Sequence, residues 1–265
     1  MTGPQSPVSG VKSVRDLTED EKVQLGIYHT MDHELARRQL RDDCLCGKVR
    51  VQQDRAIADA ILGTRVLDVG SGYGTLTRKL RRRGLQVTAL EPHKETRDLA
   101  REWFGVSSSA EDVYSVPLEP DTIDTAIFRE SVEHLDMELT LARLAELGVK
   151  RVLIFQSNLN GKLRLTRWWL QHAEFNPKPR LYYEEALARH GFVVKSVTHR
   201  DVVAFPLSGG LLLKQRFPRI DAAEKLLVAV DDALARTFDA VGLGPVTCWR
   251  FLIVADHAKA AEHRG

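Results

Sequence analysis

Asp68 and Glu91 stand on either side of a run of three glycines, and these five residues are where the sequence is best placed to do chemistry. The stretch "RVLDVGSGYGTLTRKL" (65–80) runs from an apolar segment into glycines at positions 70, 72 and 74 and then into a basic segment. Glycine is needed where backbone turns sharply or must approach a ligand without a Cβ. A dinucleotide-binding loop carries its third glycine three positions after the second, and here that position is Thr75. A phosphate loop would end in Gly-Lys-Ser/Thr, which this loop does not. A carboxylate at Asp68 repels a diphosphate and attracts an ammonium or a sulfonium. Glu91 closes the next apolar run, 21 residues beyond Gly70, where an acidic side chain accepts hydrogen bonds from both ribose hydroxyls. An adenosine with a positively charged amino-acid tail satisfies both carboxylates.

The elements that must position these residues follow from the apolar periodicity. Short apolar runs at Val66–Val69, Gln86–Leu90, Ile123–Phe128, Val152–Phe155, Val193–Thr198 and Cys248–Val254 predict strands, with a weak one near Val106. Amphipathic segments at Leu76–Arg83, Lys94–Trp103, Val132–Leu147, Tyr183–His190 and Asp221–Phe238 predict helices between them. Strands alternating with helices imply parallel βαβ units. The expected fold is therefore α/β, a doubly wound, Rossmann-like, mostly parallel seven-stranded sheet. Residues 1–13 read as a disordered tail, 14–63 as N-terminal helices and 64–265 as the catalytic domain. Thr18 and Glu21 form a capping box, and Val51–Leu62 predicts a helix that Gly63 ends, its stripe Val51, Ala56, Ile57, Ala60 and Ile61. Segments 157–182 and 199–247 interrupt the alternation and are expected to form a lid or a substrate pocket.

An adenosine bearing a cationic amino-acid tail is S-adenosylmethionine, and the wider sequence agrees. "VLDVGSGYGTLTRKL", "VTALEP" and "SSAEDVYSVPLEPDTIDTAIFRESVEHLD" resemble, in order and spacing, the motifs of class I S-adenosylmethionine-dependent methyltransferases. The quinone-biosynthesis-like small-molecule group is the nearest likeness, over about residues 50 to 200. The resemblance implies that Gly70 and Gly72, with Ser71 and Gly74 in the same loop, line the methionine and ribose portion. It implies too that Glu91, followed by Pro92, binds the ribose diol. Ser109, Ala110, Glu111 and Asp112 match the segment flanking adenine. Ser109 replaces the usual acidic residue, which leaves Glu111 and Asp112 as alternatives for the amino contact. Arg129, Glu130 and Ser131 match the segment whose backbone meets the methionine amine, and Glu133-His134-Leu135 matches the family's Glu-His-Leu.

The acceptor is narrowed by absences. "FRES" after the fourth strand lacks the Asn/Asp-Pro-Pro-Tyr/Phe that grips base or amide nitrogens, and no cysteine is placed for attack on a cytosine. A formal charge of +2 over 265 residues sets up no field for nucleic acid. The basic clusters at 78–83 and 214–219 read as solvated faces. The expected acceptor is a small-molecule or lipid-like compound, partly apolar, methylated on O, N or C. The alternatives are a protein or RNA methyltransferase and a non-catalytic cofactor-binding protein. His134 and His172 are candidate catalytic residues, against structural hydrogen bonding or lid packing. Tyr28, Trp168, Trp169, Glu174 and Phe175 are candidate substrate-binding residues. Cys44 and Cys46, with His29 and His33 upstream, lack the spacing of a zinc site, so no metal is expected. Three cysteines, no apolar run of the about 20 residues a membrane span needs and no apolar leader core predict a cytoplasmic protein.

Overall fold

A computed structural model of the chain describes residues 33–158, 178–211 and 214–258. Its centre is a sheet of six strands in the order β2-β1-β3-β4-β6-β5. They are β1 (Arg65–Val69), β2 (Gln86–Leu90), β3 (Thr125–Arg129), β4 (Arg151–Ser157), β5 (Phe192–Arg200) and β6 (Arg250–His257). β1 pairs in parallel with β2 and β3, and β3 with β4, whereas β6 runs antiparallel to both of its neighbours, β4 and β5. The sheet is thus mixed, and among the described residues it has six strands where seven were expected. Near Val106 there is no strand; a single parallel bridge, Leu90 to Ser109, takes its place.

Successive strand side chains point to opposite faces, and helices cover both faces, so neighbouring apolar residues enter different cores. Leu67, Phe128 and Ile154 pack with Met137, Leu141 and Tyr183 on one face, while Val66, Ile127 and Leu153 pack with Ile57, Leu76 and Leu80 on the other. This is why these strands read as continuous apolar runs. The register sets the carboxyl ends of β1, β2, β3 and β4 along one edge, and Ser157 pairs there with Arg250 at the start of β6.

Helices α1 (His33–Gln39) and α2 (Leu45–Asp59) precede the sheet. The expected helix at Val51–Leu62 is therefore longer at its start and shorter at its end. Cys44 is its N-cap, with Sγ accepting from the Gly47 N–H at 3.3 Å. Its buried face carries Cys46, Val49, Gln53, Asp54 and Ile57; of the expected stripe Ile57 is buried and Ala56, Ala60 and Ile61 pack half-buried on the same cluster, while two polar side chains also turn inward toward strand-end partners. Gly63 lies beyond the helix and leads into β1. Helices α3 (Thr75–Arg82) and α4 (Lys94–Phe104) follow β1 and β2. The expected Val132–Leu147 helix is a 3-10 turn, Val132–His134, and then α5 (Met137–Glu146); Asp136 caps α5 by accepting from the Leu139 N–H at 3.1 Å.

After β4 come α6 (Arg180–Arg189), α7 (Ala204–Ser208), α8 (Asp221–Ala240) and α9 (Gly244–Thr247). Segment 199–247 therefore contributes three helices, and α8 packs against α2 and β5. The buried face of α8 mixes apolar residues, Val228 and Ala235, with charged ones. Glu224 and Asp231 are buried while Leu226 and Val230 are exposed. The inward charges are satisfied: Glu224 accepts from Lys48 at 2.5 Å and Gln215 at 2.6 Å, and Asp231 Oδ1 accepts from the backbone N–H groups of Val202, Val203 and Ala204 at 3.1, 2.5 and 2.8 Å.

Candidate active site

The loop between β1 and α3 is held by the end of β2. The N–H groups of Gly70 and Ser71 both donate to the Leu90 carbonyl, at 2.9 and 2.8 Å. Gly70, Gly72 and Gly74 all have positive φ, +73°, +55° and +73°, which explains glycine at alternate positions. A Cβ at Gly70 would lie 2.6 Å from the Ser131 side chain, whose Oγ donates to the Val69 carbonyl at 2.6 Å. Tyr73 stacks on Trp103 with ring centroids 5.0 Å apart and bonds His33 Nδ1 at 2.9 Å. A Cβ has no room at Gly70 or Gly74, and the amides of Gly70, Ser71, Gly72 and Gly74 are all engaged by Leu90, Glu91 and Ser71 at the strand edge.

Both carboxylates lie at that edge, buried. Glu91 accepts from the Gly72 N–H at 2.8 Å and from the His93 N–H at 3.0 Å. Asp68 accepts from the Thr77 hydroxyl at 2.5 Å. Burial pushes Glu91 up to about 7 and Asp68 up to about 6, with these donors opposing only in part. Neither side chain forms an ion pair with a described residue. Two buried carboxylates lacking direct cationic partners, beside a glycine cradle, fit a ligand that brings its own positive charge and hydroxyl donors. The residues present therefore fit S-adenosylmethionine.

The segment expected to flank adenine is anchored beside Glu91. Ser109 donates its N–H to the Ala89 carbonyl at 2.8 Å and accepts the Glu91 N–H at 3.0 Å. Ser71 and Ser108 join the two loops through their hydroxyls at 3.0 Å. Ala110 is exposed. Of the two alternatives for the amino contact, Asp112 is committed to its own turn, where Oδ1 accepts from the N–H groups of Tyr114 and Ser115 at 3.0 and 2.8 Å and from the Ser115 hydroxyl at 2.7 Å. Glu111 is half-buried and accepts from Ser115 Oγ at 3.1 Å. Pro92 contributes its carbonyl to Arg97 at 2.6 Å.

The ends of β3, β4 and β6 hold a charged network that sequence reasoning missed. Arg129 turns away from the glycine loop to Asp54 and to Gln53, the latter at 2.9 Å. Burial, with Arg50 nearby, holds its guanidinium down at about 10. Glu130 adopts φ +54°, rare for a non-glycine residue, and accepts from Arg250 Nε and Nη2 at 2.8 and 2.6 Å. Burial works to raise the Glu130 pKa, but Arg250, Arg50 and Arg129 together hold it below the ordinary value. Arg250 also donates to Asp201 at 3.1 Å, and its guanidinium stands 3.6 Å from the Phe205 ring centroid. Asp201 in turn accepts from Gln53 at 2.6 Å.

Arg50 was missed as well. It reaches Thr75, the first residue of α3, at 3.5 Å, and its buried Nε has no partner. It thus stands between the glycine loop and Glu130. The signal available in the sequence was helical spacing: Cys46, Arg50, Gln53, Asp54 and Ile57 recur at three and four on one face of α2. Beyond β3, Glu133 is buried at the side chain and His134 is 34% exposed there, with Nε2 lying 3.6 Å from Glu133 Oε1. Tyr28, Trp168, Trp169, His172, Glu174 and Phe175 lie outside the described residues.

Comparison with known proteins bears on the same elements. Residues 67–153, from β1 into β4, match the methyltransferase domain family. The stretch from β1 into β4 thus resembles a class I S-adenosylmethionine-dependent methyltransferase domain. The ubiquinone biosynthesis O-methyltransferase of Rhizobium etli is 29% identical over 118 residues, 42% of this chain and 48% of that protein. The Vibrio cholerae protein of the same name is 31% identical over 118 residues, 40% of this chain and 46% of that protein. The chain spans about half the length of the curated relatives it matches. Among solved structures, geranyl diphosphate C-methyltransferase from Streptomyces coelicolor aligns with TM-score 0.59 and 14% identity over 80% of each chain. Magnesium protoporphyrin IX methyltransferase from Synechocystis aligns with TM-score 0.58 and 14% identity, over 90% of this chain and 99% of that one. At such identities the likeness is one of fold. No described helix is long and apolar enough to cross a membrane.

Proposed function

We propose that the whole chain is an enzyme that transfers a methyl group from S-adenosylmethionine to a small or medium-sized, partly apolar acceptor. The observation that carries this reading is the left-handed glycine loop set against two buried carboxylates, Asp68 and Glu91, neither ion-paired with a described residue. On binding, Glu91 gives up the Gly72 amide or shares it and accepts the ribose hydroxyls. Asp68 and the Gly70–Gly72 backbone face the methionine portion. Arg50 supplies the cation for the methionine carboxylate, since it reaches the start of α3 with its Nε unpaired. The Ser109–Asp112 loop flanks adenine, with Glu111 and Asp112 the alternatives for the amino group.

The bound cofactor supplies a methyl carbon made electrophilic by the adjacent sulfonium. The protein's work is then positioning and exclusion of water around an in-line displacement. Glu130, held in its left-handed conformation by Arg250, presents backbone toward the methionine amine. Names among the relatives and structural neighbours, such as ubiquinone biosynthesis, geranyl diphosphate and magnesium protoporphyrin, all denote small molecules, and support that class of acceptor for this chain. Nucleic acid is not the expected partner, and the cytoplasm is the expected location.

Calorimetric titration of the full chain with S-adenosylmethionine, followed by product mass analysis over a panel of small acceptors, tests the reading. Saturable binding and a mass gain of one methyl group on at least one acceptor are expected. Absence of binding would remove the proposal, and binding without transfer to any small acceptor would favour the non-catalytic alternative.

A further inference from the structure

Among the described residues, three buried polar atoms near the end of β4 lack hydrogen-bond partners: Glu133 Oε1, Gln156 Oε1 and Tyr183 Oη. They belong to three elements, the turn after β3, β4 itself and α6. Buried polar atoms are nearly always paired, so three orphans in one neighbourhood mark a place built for something other than packing. Gln156 Nε2 donates to Glu133 Oε2 at 3.4 Å, fixing that carboxyl from behind. Gln156 and the Lys178 backbone favour ionisation of Tyr183, while burial and Glu133 oppose it. The one exposed member of the group is His134, whose Nε2 faces Glu133 Oε1 at 3.6 Å.

We infer that His134, positioned by the buried Glu133, takes the proton from a hydroxyl group on the methyl acceptor. This rests on the cofactor reading above and adds the acceptor chemistry. With Nε2 turned toward Glu133, Nδ1 is left for the acceptor. Burial lowers the His134 pKa, so the ring is neutral and basic at pH 7. The Glu133 carboxyl is pushed up to about 8, first by burial and then by Glu130 at the end of β3, with Gln156 opposing. The groups facing Glu133 are thus His134, Glu130, Gln156 and Tyr183, and among them only His134 carries a positive charge when protonated. In the forward step the acceptor oxygen bonds to the methyl carbon as that carbon's bond to sulfur breaks, its electron pair remaining on sulfur. The hydroxyl proton passes to His134, whose positive charge Glu133 stabilises once its own carboxyl is ionised, toward pH 8 and above, and then leaves to solvent. A neutral amine attacks through its lone pair before losing a proton, so a base in front of the acceptor is chiefly useful to a phenol or an enol. Gln156 and Tyr183 are positioning residues in this scheme.

The test uses the full chain, saturated with S-adenosylhomocysteine for NMR and supplied with S-adenosylmethionine and two ring probes, 3,4-dihydroxybenzoate and 4-aminobenzoate, for turnover. His134 ring proton shifts are titrated by NMR in the wild type and in Glu133→Gln, an isosteric change. Because Glu133 is protonated below about 8, the variant should leave the His134 titration in place, with the ring neutral at pH 7 in both proteins. The dihydroxy probe should be methylated on oxygen and the amine not. In Glu133→Gln, kcat should fall at least about tenfold and lose its dependence on pH near 8, with KM and S-adenosylhomocysteine affinity within about threefold. A His134 ring still protonated at pH 7, methylation of the amine alone, or methylation of neither probe by cofactor-competent protein overturns the inference. Failure of the wild type to bind S-adenosylhomocysteine would instead fall on the cofactor reading.

Discussion

The two halves of the strand-end edge are built differently. At β1 and β2 the site is made of backbone: glycines 70, 72 and 74 with positive φ, amides turned to Glu91, and a carbonyl of Leu90 that holds the loop. At β3, β4 and β6 it is made of charged side chains drawn from distant parts of the chain: Arg50 and Asp54 from α2, Glu130, Asp201 and Arg250. The first half leaves carboxylates without cations, and the second neutralises its carboxylates within the protein. On the proposed reading the positive charge of the ligand lies toward the first half, while Arg50 of the second meets its carboxylate and the rest of that half sets the wall beside it.

The largest difference should appear on breaking the second half. Arg250→Leu leaves Glu130 and Asp201 buried without their shared cation, a change that typically destabilises by about 3–5 kcal/mol. Chemical denaturation should show a loss of that order, with cofactor affinity reduced as a consequence. An effect below about 1 kcal/mol would mean that the pair is not held out of water. Gly72→Val acts on the first half in the opposite manner. A β-branched residue is strained at φ +55°, so cofactor binding should fall by at least about a hundredfold while far-UV circular dichroism stays native. If binding persists, the loop does not face the cofactor.

The contrast also has a pH signature. Asp68 and Glu91 have pKa values raised in the fold, to about 6 and about 7, so the folded chain keeps protons that the unfolded chain sheds above about pH 4. Their contribution to stability therefore falls as pH rises toward 7 in the cofactor-free chain. A cationic cofactor favours the ionised forms, so the rise in melting temperature it causes should grow between pH 5.5 and 7.5. A constant rise would remove the electrostatic part of the account. The smallest effect is expected at Cys44→Ser, because serine also caps a helix; its melting temperature should stay within a few degrees, and a large loss would point to a role for the thiol beyond the cap.

What could be read in the sequence follows the same division. The glycine loop and Glu91 stand close together in the chain, and positive φ restricts the residue type, so their pattern survives in the letters. Strands β1, β3 and β4 were legible for a similar reason, since burial on both faces makes each a short apolar run. The polar network was not legible, because Gln53 and Asp54 look like solvent-facing residues until Asp201, Arg129 and Arg250 are brought to them by the fold. The reversal of β6 left no mark on its composition, as an internal strand is apolar in either direction. The split at Leu135–Asp136 was concealed by apolar spacing that continues across it, although Asp136 is a good N-cap residue.

The central claim is that one ligand spans from Glu91 at its ribose to Arg50 at its carboxylate. Calorimetry of S-adenosylhomocysteine and of methylthioadenosine, which lacks the amino-acid end, tests it directly in wild type, Glu91→Ala and Arg50→Ala. Glu91→Ala should weaken both ligands at least about tenfold, from the loss of charge-assisted hydrogen bonds. Arg50→Ala should weaken S-adenosylhomocysteine by a similar factor and leave methylthioadenosine within about twofold. Unchanged affinity in Glu91→Ala, or equal loss of both ligands in Arg50→Ala, would contradict this placement.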